Sequence, residues 1–231
     1  MKAMRIRCDN GLTYIAKDEP ETEHNIRATE LFWYLVAKRI SLPTPVPEVV
    51  QMRNGRTVFA TRWEQSLAAV AHAECLSALV SGEVVDGSRQ LSRLYAFDLF
   101  CSNEDRKPDN YILLKEQHGI IVQNIDLGHT ALIPGVSQWP HKDPLYDATC
   151  HTRVFFPVII SSYQSDPLHS LDTIDRLEGL QSAEIDAILK QIPDDWLNQT
   201  MRSEMLAWWS SDAKTQRIET IRTGIANGTL F

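Results

Sequence analysis

Apolar and polar positions alternate along residues 4–8 and again along LTYIAK at 12–17, with Asp9-Asn10-Gly11 between them. Alternation is the period of a strand and Asn-Gly is a tight-turn signal, so the chain is expected to open on a β-hairpin. The period then lengthens. Ile26, Trp33, Ala37 and Ile40 share one face at helical spacing, and the acids of DEPETE, with Pro20 among them, suit the first turn of that helix. Glu30 lies on the same face. A carboxylate on a buried face is costly unless paired. Lys17, at the end of the preceding strand, is the partner on offer; the alternative is Glu30 at the rim of the face and Lys17 in solvent. After the proline-rich SLPTPVP, residues 48–52 and 57–62 read as a second hairpin turned by Arg53-Asn54-Gly55. Residues 1–64 are thus expected to form a small antiparallel sheet with one helix.

Residues 65–87 carry a mixed helix-and-loop pattern broken at Gly82 and Gly87. A helix over 88–102 follows, with Leu91, Leu94, Tyr95 and Cys101 on one face. Asp98 falls on that face too, either to accept backbone N–H groups from the loop that follows or as an exposed edge residue. YILL and GIIVQNI then read as two strands joined by a turn over 115–119. A hairpin brings its ends together, so Asp105 and Asn110 at its entrance converge with Asp126 at its exit. The stretch from His129 to Val158 is irregular, rich in Pro and aromatics. Residues 170–227 are expected to be helical, including a short amphipathic helix over SAEIDAILKQI capped by Ser182, and a long segment in which Met205, Trp208, Trp209, Ile218 and Ile221 serve packing.

Converging oxygen-bearing side chains are what phosphoryl transfer requires: an acid to orient a hydroxyl and accept its proton, and oxygen ligands for magnesium on the phosphates. Asp105, Lys107 and Asn110 stand in the spacing D-x-K-P-x-N, and Asp126 sits in I-D-L-G. The plain alternative is a charged surface loop followed by an ordinary hairpin. The two pieces resemble the catalytic loop and metal motif of protein kinases. FDLFCSNEDRKPDNYILL resembles more closely the HipA-like kinase family, which, like the phosphatidylinositol kinases, has N-x-D rather than H-R-D at this place; here it is Asn103-Glu104-Asp105. Tyr14-Ile15-Ala16-Lys17, followed by a helix carrying Glu30, fits the same family. The match runs loosely from Leu12 to Thr130, and the last hundred or so residues carry no matching motif.

The resemblance implies an α+β, two-lobed protein-kinase-like fold, with an N-terminal lobe over 1–64 and a mainly helical C-terminal lobe over 65–231. It implies ATP and Mg²⁺, with Asp105 as base and Lys107 assisting the phosphoryl group. Asn110 and Asp126 would hold the metal, and Lys17, positioned by Glu30, the phosphates. A hinge over 59–64 would contact adenine through the backbone of Ala60 and Arg62. The implied acceptor is a protein hydroxyl, Ser or Thr, often in a toxin–antitoxin setting. The family carries a Gly/Ser-rich phosphate loop before the lysine strand, whereas no glycine precedes Gly11 here. Either the start is shortened or Lys17 and Mg²⁺ hold the phosphates. Two other readings stay open: an inactive module that binds nucleotide or a partner protein, and transfer of another part of ATP, such as AMP.

Composition narrows the partners. At 231 residues and 43% hydrophobic the chain can bury a sizeable core as one two-lobed domain or two small ones. A net charge of −7 disfavours generic nucleic-acid binding and anionic membrane surfaces. Cys8, Cys75, Cys101 and Cys150 lie far apart without a CxxC, as in a reduced cytoplasmic protein. Cys150-His151 is an isolated pair of possible metal ligands. The longest apolar run, 154–160, is interrupted by Pro157 and too short to span a bilayer. MKAMRIRCDNG has no apolar core of a signal peptide.

Overall fold

The structure, a computed structural model, describes residues 2–18, 26–63, 68–69, 74–130 and 151–230. Strands β1 (Lys2–Arg7) and β2 (Thr13–Asp18) pair antiparallel around the Asp9–Gly11 turn, where Gly11 takes φ +79°. Strands β3 (Pro47–Gln51) and β4 (Thr57–Arg62) form the second hairpin, and the sheet order is β1-β2-β4-β3. Cross-strand partners share a face. Val49, Phe59 and Lys17 therefore lie on one side, while Tyr14, Ala16, Val58 and Ala60 form a separate apolar cluster on the other.

Helix α1 (Ile26–Arg39) covers the Lys17 face, with Tyr34 against Phe59 at 5.2 Å between ring centroids. It ends in a Schellman motif: Ser41 takes φ +60° and the Leu42 N–H reaches back to the Ala37 carbonyl at 2.9 Å. The acidic segment expected to open this helix lies largely outside the described residues. One face was expected to be buried, yet α1 is buried nearly all round. Its far side meets α3 (Gly87–Cys101) and α7 (Gln199–Trp209). Trp33 packs edge-on against Phe97 and Phe100 at 5.8 and 6.2 Å, and Phe32 against Trp209 at 6.3 Å.

A second sheet, order β5-β6-β7, is made of β5 (Ala68–Ala69), β6 (Tyr111–Glu116) and β7 (Gly119–Asn124). The β6–β7 hairpin is the expected one; β5 is too short to leave a period in the sequence. Residues 83–85 cross the start of β7 so closely that a Cβ on Gly119 (φ +137°) would stand 2.6 Å from the Glu83 carbonyl oxygen. The remaining helices are α2 (Cys75–Leu79), α4 (His151–Ile160), α5 (Pro167–Gly179), α6 (Ser182–Leu189) and α8 (Asp212–Ala226).

Two local expectations need correction and one gains detail. The N-cap of α6 is Gln181, in a capping box with Glu184, and Ser182 is already helical. The long C-terminal segment is two helices, because the chain turns at Ser210 and Ser211. The end of the supposedly irregular stretch is helix α4, which tolerates Pro157. The α+β class stands: a small antiparallel sheet with one helix, then a mostly helical remainder. Among the described residues no helix is long and apolar enough to cross a membrane.

Candidate functional site

The site begins where α3 stops. Ser102 takes φ +52°, and the Asn103 N–H bonds back to the Asp98 carbonyl at 2.9 Å. A loop follows, then a single 3₁₀ turn at Pro108–Asn110 and strand β6. Tyr111 pairs with Asn124, so the hairpin returns its exit to its entrance, and the Ile125 N–H faces the Asn110 carbonyl at 3.4 Å. Asn110 donates its amide N–H to the Asp105 carbonyl. Asp126 follows in the left-handed region at φ +60°, which aspartate enters more readily than most non-glycine residues.

Asp126 joins this region to the first sheet. Its Oδ1 accepts from Lys17 Nζ at 2.6 Å, and the same ammonium is bonded to Glu30 Oε1. Glu30 is fully buried, and its second oxygen accepts the Leu127 N–H at 3.2 Å. Burial pushes the Glu30 carboxyl up, Lys17 opposes this and Asp126 adds to it; the net direction is upward. For Asp126 burial also pushes up, but Lys17 outweighs it and holds the carboxyl below the usual range. Burial would lower Lys17, yet the two carboxylates together raise it. Gly128 is closely packed: a Cβ there would stand 3.1 Å from Ile26 and 3.2 Å from Glu30 Oε1, tighter than an ordinary contact.

Arg106, next to the candidate base, is the residue sequence reasoning passed over. It is 2% exposed. It makes a two-pronged contact with Asp98 at 2.8 and 2.9 Å, and donates to the Asn110 and Ile125 carbonyls and to the Asn124 side chain. Its guanidinium also stacks over the Tyr111 ring at 5.1 Å. Asp98 therefore does not receive loop N–H groups on its carboxylate; it takes the side chains of Arg106 and Asn103. One buried ion pair thus ties the helix end, the loop and both ends of the hairpin together. The available signal was an aspartate eight positions before an arginine, with both facing the core.

Asp105 is more open. Lys107 Nζ reaches its Oδ1 at 2.6 Å and His151 Nδ1 reaches the same oxygen at 2.9 Å. Partial burial would raise this carboxyl, but hydrogen bonds from Lys107 and His151 prevail and hold it below the usual carboxylate range. Among the described residues Oδ2 has no partner.

Ala60 and Arg62, the expected adenine contacts, lie in β4. Strand β4 is flanked by β2 on one edge and β3 on the other, so the backbone of Ala60 is spent in the ladders, and the Arg62 N–H bonds to the Val46 carbonyl at 2.9 Å. The hinge expected over 59–64 ends just outside the described residues. Cys150 lies outside them as well, and His151 is engaged with Asp105.

No family model matches the chain, and no curated protein matches it. Among the solved structures that share its fold are two kinase-related ones. A Helicobacter pylori proinflammatory kinase, CtkA, is 12% identical with a TM-score of 0.63, over 97% of this chain and 94% of that one. A chain of the Shewanella oneidensis MR-1 toxin–antitoxin complex of HipA, HipB and operator DNA is 13% identical with a TM-score of 0.53. That alignment covers 91% of this chain but only 58% of the other, so the protein spans little more than half of its length.

The chain has a HipA-like kinase fold. In that fold the Lys17, Glu30 and Asp126 cluster occupies the inner face of the first sheet. A cavity of about 590 Å³ lies against the outer face, among Ile6, Tyr14, Val50 and Met52, and is no part of the cluster.

Proposed function

We propose that the protein is an ATP- and Mg²⁺-dependent kinase that transfers the γ-phosphoryl group to a Ser or Thr hydroxyl of a partner protein. The observation that carries this reading is the lysine held jointly by Glu30 and Asp126, in a kinase fold where, among the described residues, one oxygen of Asp105 has no partner. Lys17 would contact the phosphates, with Glu30 fixing its position. Asn110 and Asp126 present hard oxygen donors and suit magnesium. Among the described residues no three acidic, His or Cys side chains could enclose an ion alone, so phosphate oxygens would complete the shell. When bound, the metal would neutralise phosphate charge. The acceptor oxygen would bond to the γ-phosphorus as the bond to the bridging oxygen breaks and ADP leaves. The hydroxyl proton would pass to Asp105 Oδ2, and Lys107 would balance charge on the moving group.

The described cysteines are free thiols, in keeping with work in the cytoplasm. The division into a lobe over 1–64 and a lobe over 65–231 belongs to this proposal. A second reading is a docking module without transfer. It is favoured by the absence of a glycine-rich segment in β1, where Ala3 stands opposite Lys17. Incubation with γ-labelled ATP and Mg²⁺, followed by intact-mass measurement of the protein and candidate partners, separates the two. An added phosphoryl mass supports the kinase; partner capture without it supports the module.

A further inference from the structure

Helix α4 grips the loop that carries Asp105. The His151 N–H bonds to the Glu104 carbonyl at 2.9 Å, the Thr152 hydroxyl donates to the Asn103 carbonyl, and the Arg106 N–H donates to that hydroxyl oxygen at 3.2 Å. Thr152 is 2% exposed, so this grip is part of the interior. It delivers the half-exposed His151 imidazole to Asp105, with Nδ1 2.9 Å from Oδ1. Lys107 takes the same oxygen at 2.6 Å. An ionised carboxylate only accepts, so Nδ1 must carry the proton in this contact.

We propose that His151 is a positioning residue for Asp105: with Lys107 it pins Oδ1, so that Oδ2 alone is presented to the acceptor hydroxyl. This rests on the kinase reading above. A carboxylate hung on one flexible lysine can rotate and offer either oxygen. Two donors approaching one oxygen from different elements, the loop and α4, remove that freedom. Restricting a reacting group in this way lowers the barrier of the chemical step and leaves nucleotide binding untouched.

The full-length protein provides two independent tests. His151→Leu is expected to lower kcat about ten- to a hundredfold with an unchanged KM for ATP, the scale of a misplaced reacting group. His151→Asn, whose amide nitrogen stands where Nδ1 does, is expected to recover most of that loss. Equal losses in both variants, or a change in KM alone, would overturn the assignment. The second test needs no turnover. With ¹⁵N-labelled histidine, the His151 signal, identified by its disappearance in His151→Asn, is expected to show a protonated, hydrogen-bonded Nδ1. In Asp105→Asn, which cannot accept in the same way at both positions, that signature is expected to change. Identical His151 spectra in wild type and Asp105→Asn would also overturn the assignment. If wild type transfers no phosphoryl group to any acceptor, the kinase reading fails, and the imidazole spectrum alone decides whether His151 holds Asp105.

Discussion

Arg106 and Asp105 are neighbours in the chain and opposites in setting. Arg106 is sealed in the interior with every prong of its guanidinium engaged, while Asp105 is about a quarter exposed and keeps one oxygen over. The same loop thus holds a saturated ion pair and an unsaturated one. A buried pair contributes little net stability, because desolvation cancels most of its attraction, but breaking it is severe. It serves to set one geometry. The exposed set contributes little to stability, and in the kinase reading proposed above its second carboxylate oxygen is the proton acceptor.

The largest effect should come from breaking the sealed pair. Asp98→Ala leaves the Arg106 charge buried without its carboxylate and is expected to cost about 3–5 kcal/mol, read as a lowered urea midpoint. Replacing both residues by apolar ones of similar size should recover much of this. A single Asp98→Ala that unfolds like wild type would mean the pair does not organise the loop.

Breaking the open set should leave stability alone and remove chemistry. Asp105→Asn is expected to lower phosphoryl transfer on the order of 10²–10⁴-fold while ATP–Mg²⁺ affinity stays nearly normal, since the interaction matters in the transition state. Equal trace turnover in wild type and variant would favour the docking module. Asp126→Ala sharpens the contrast from the other side: calorimetry should show Mg²⁺-dependent nucleotide binding abolished or strongly weakened in a folded protein. Unchanged affinity would remove its metal role.

The Lys17–Glu30 pair sits between these extremes, with one member fully buried and the other partly exposed. Each alanine substitution should weaken ATP binding, and the double substitution should cost less than the sum. Strict additivity would mean that the contact does not matter for nucleotide. The smallest effect is with pH. Because the Asp105 carboxyl is held below its ordinary value, its ionised form favours the folded state at and above the usual carboxylate range. That advantage should fade as pH falls through the depressed folded value. Wild type should therefore lose stability relative to Asp105→Asn on acidification, by less than about 1 kcal/mol for so exposed a group. Parallel acid unfolding curves would contradict it.

Much of this was legible in local patterns. Asp-Asn-Gly and Arg-Asn-Gly fixed the hairpins because φ > 0 positions demand such residues, and the D-x-K-P-x-N spacing before a hairpin placed Asp105, Asn110 and Asp126 in one neighbourhood. An acid on an apolar helix face pointed to Lys17. What stayed hidden depends on long-range packing. Leu31, Phe32 and Val36 gave α1 a second apolar face whose cover lies well over a hundred residues on, at Trp209. The burial of Arg106 could not be read from a residue type that is mostly exposed. His151 meets Asp105 across 46 positions, with no periodic signal between them. That β4 has neighbours on both edges is likewise a matter of strand order rather than of local sequence.

The indole of Trp33, fully enclosed between Phe97 and Phe100, bears on how such a protein could be switched. Kinase control often works by swinging the glutamate helix out of reach of its lysine. Here Phe32 rests on Trp209, and Arg39 is tied to Glu184 of α6. Any swing would have to draw Phe32 and Trp33 away from Trp209, Phe97 and Phe100 in the buried core. The helix is a keystone of the interior, not a lever on its surface.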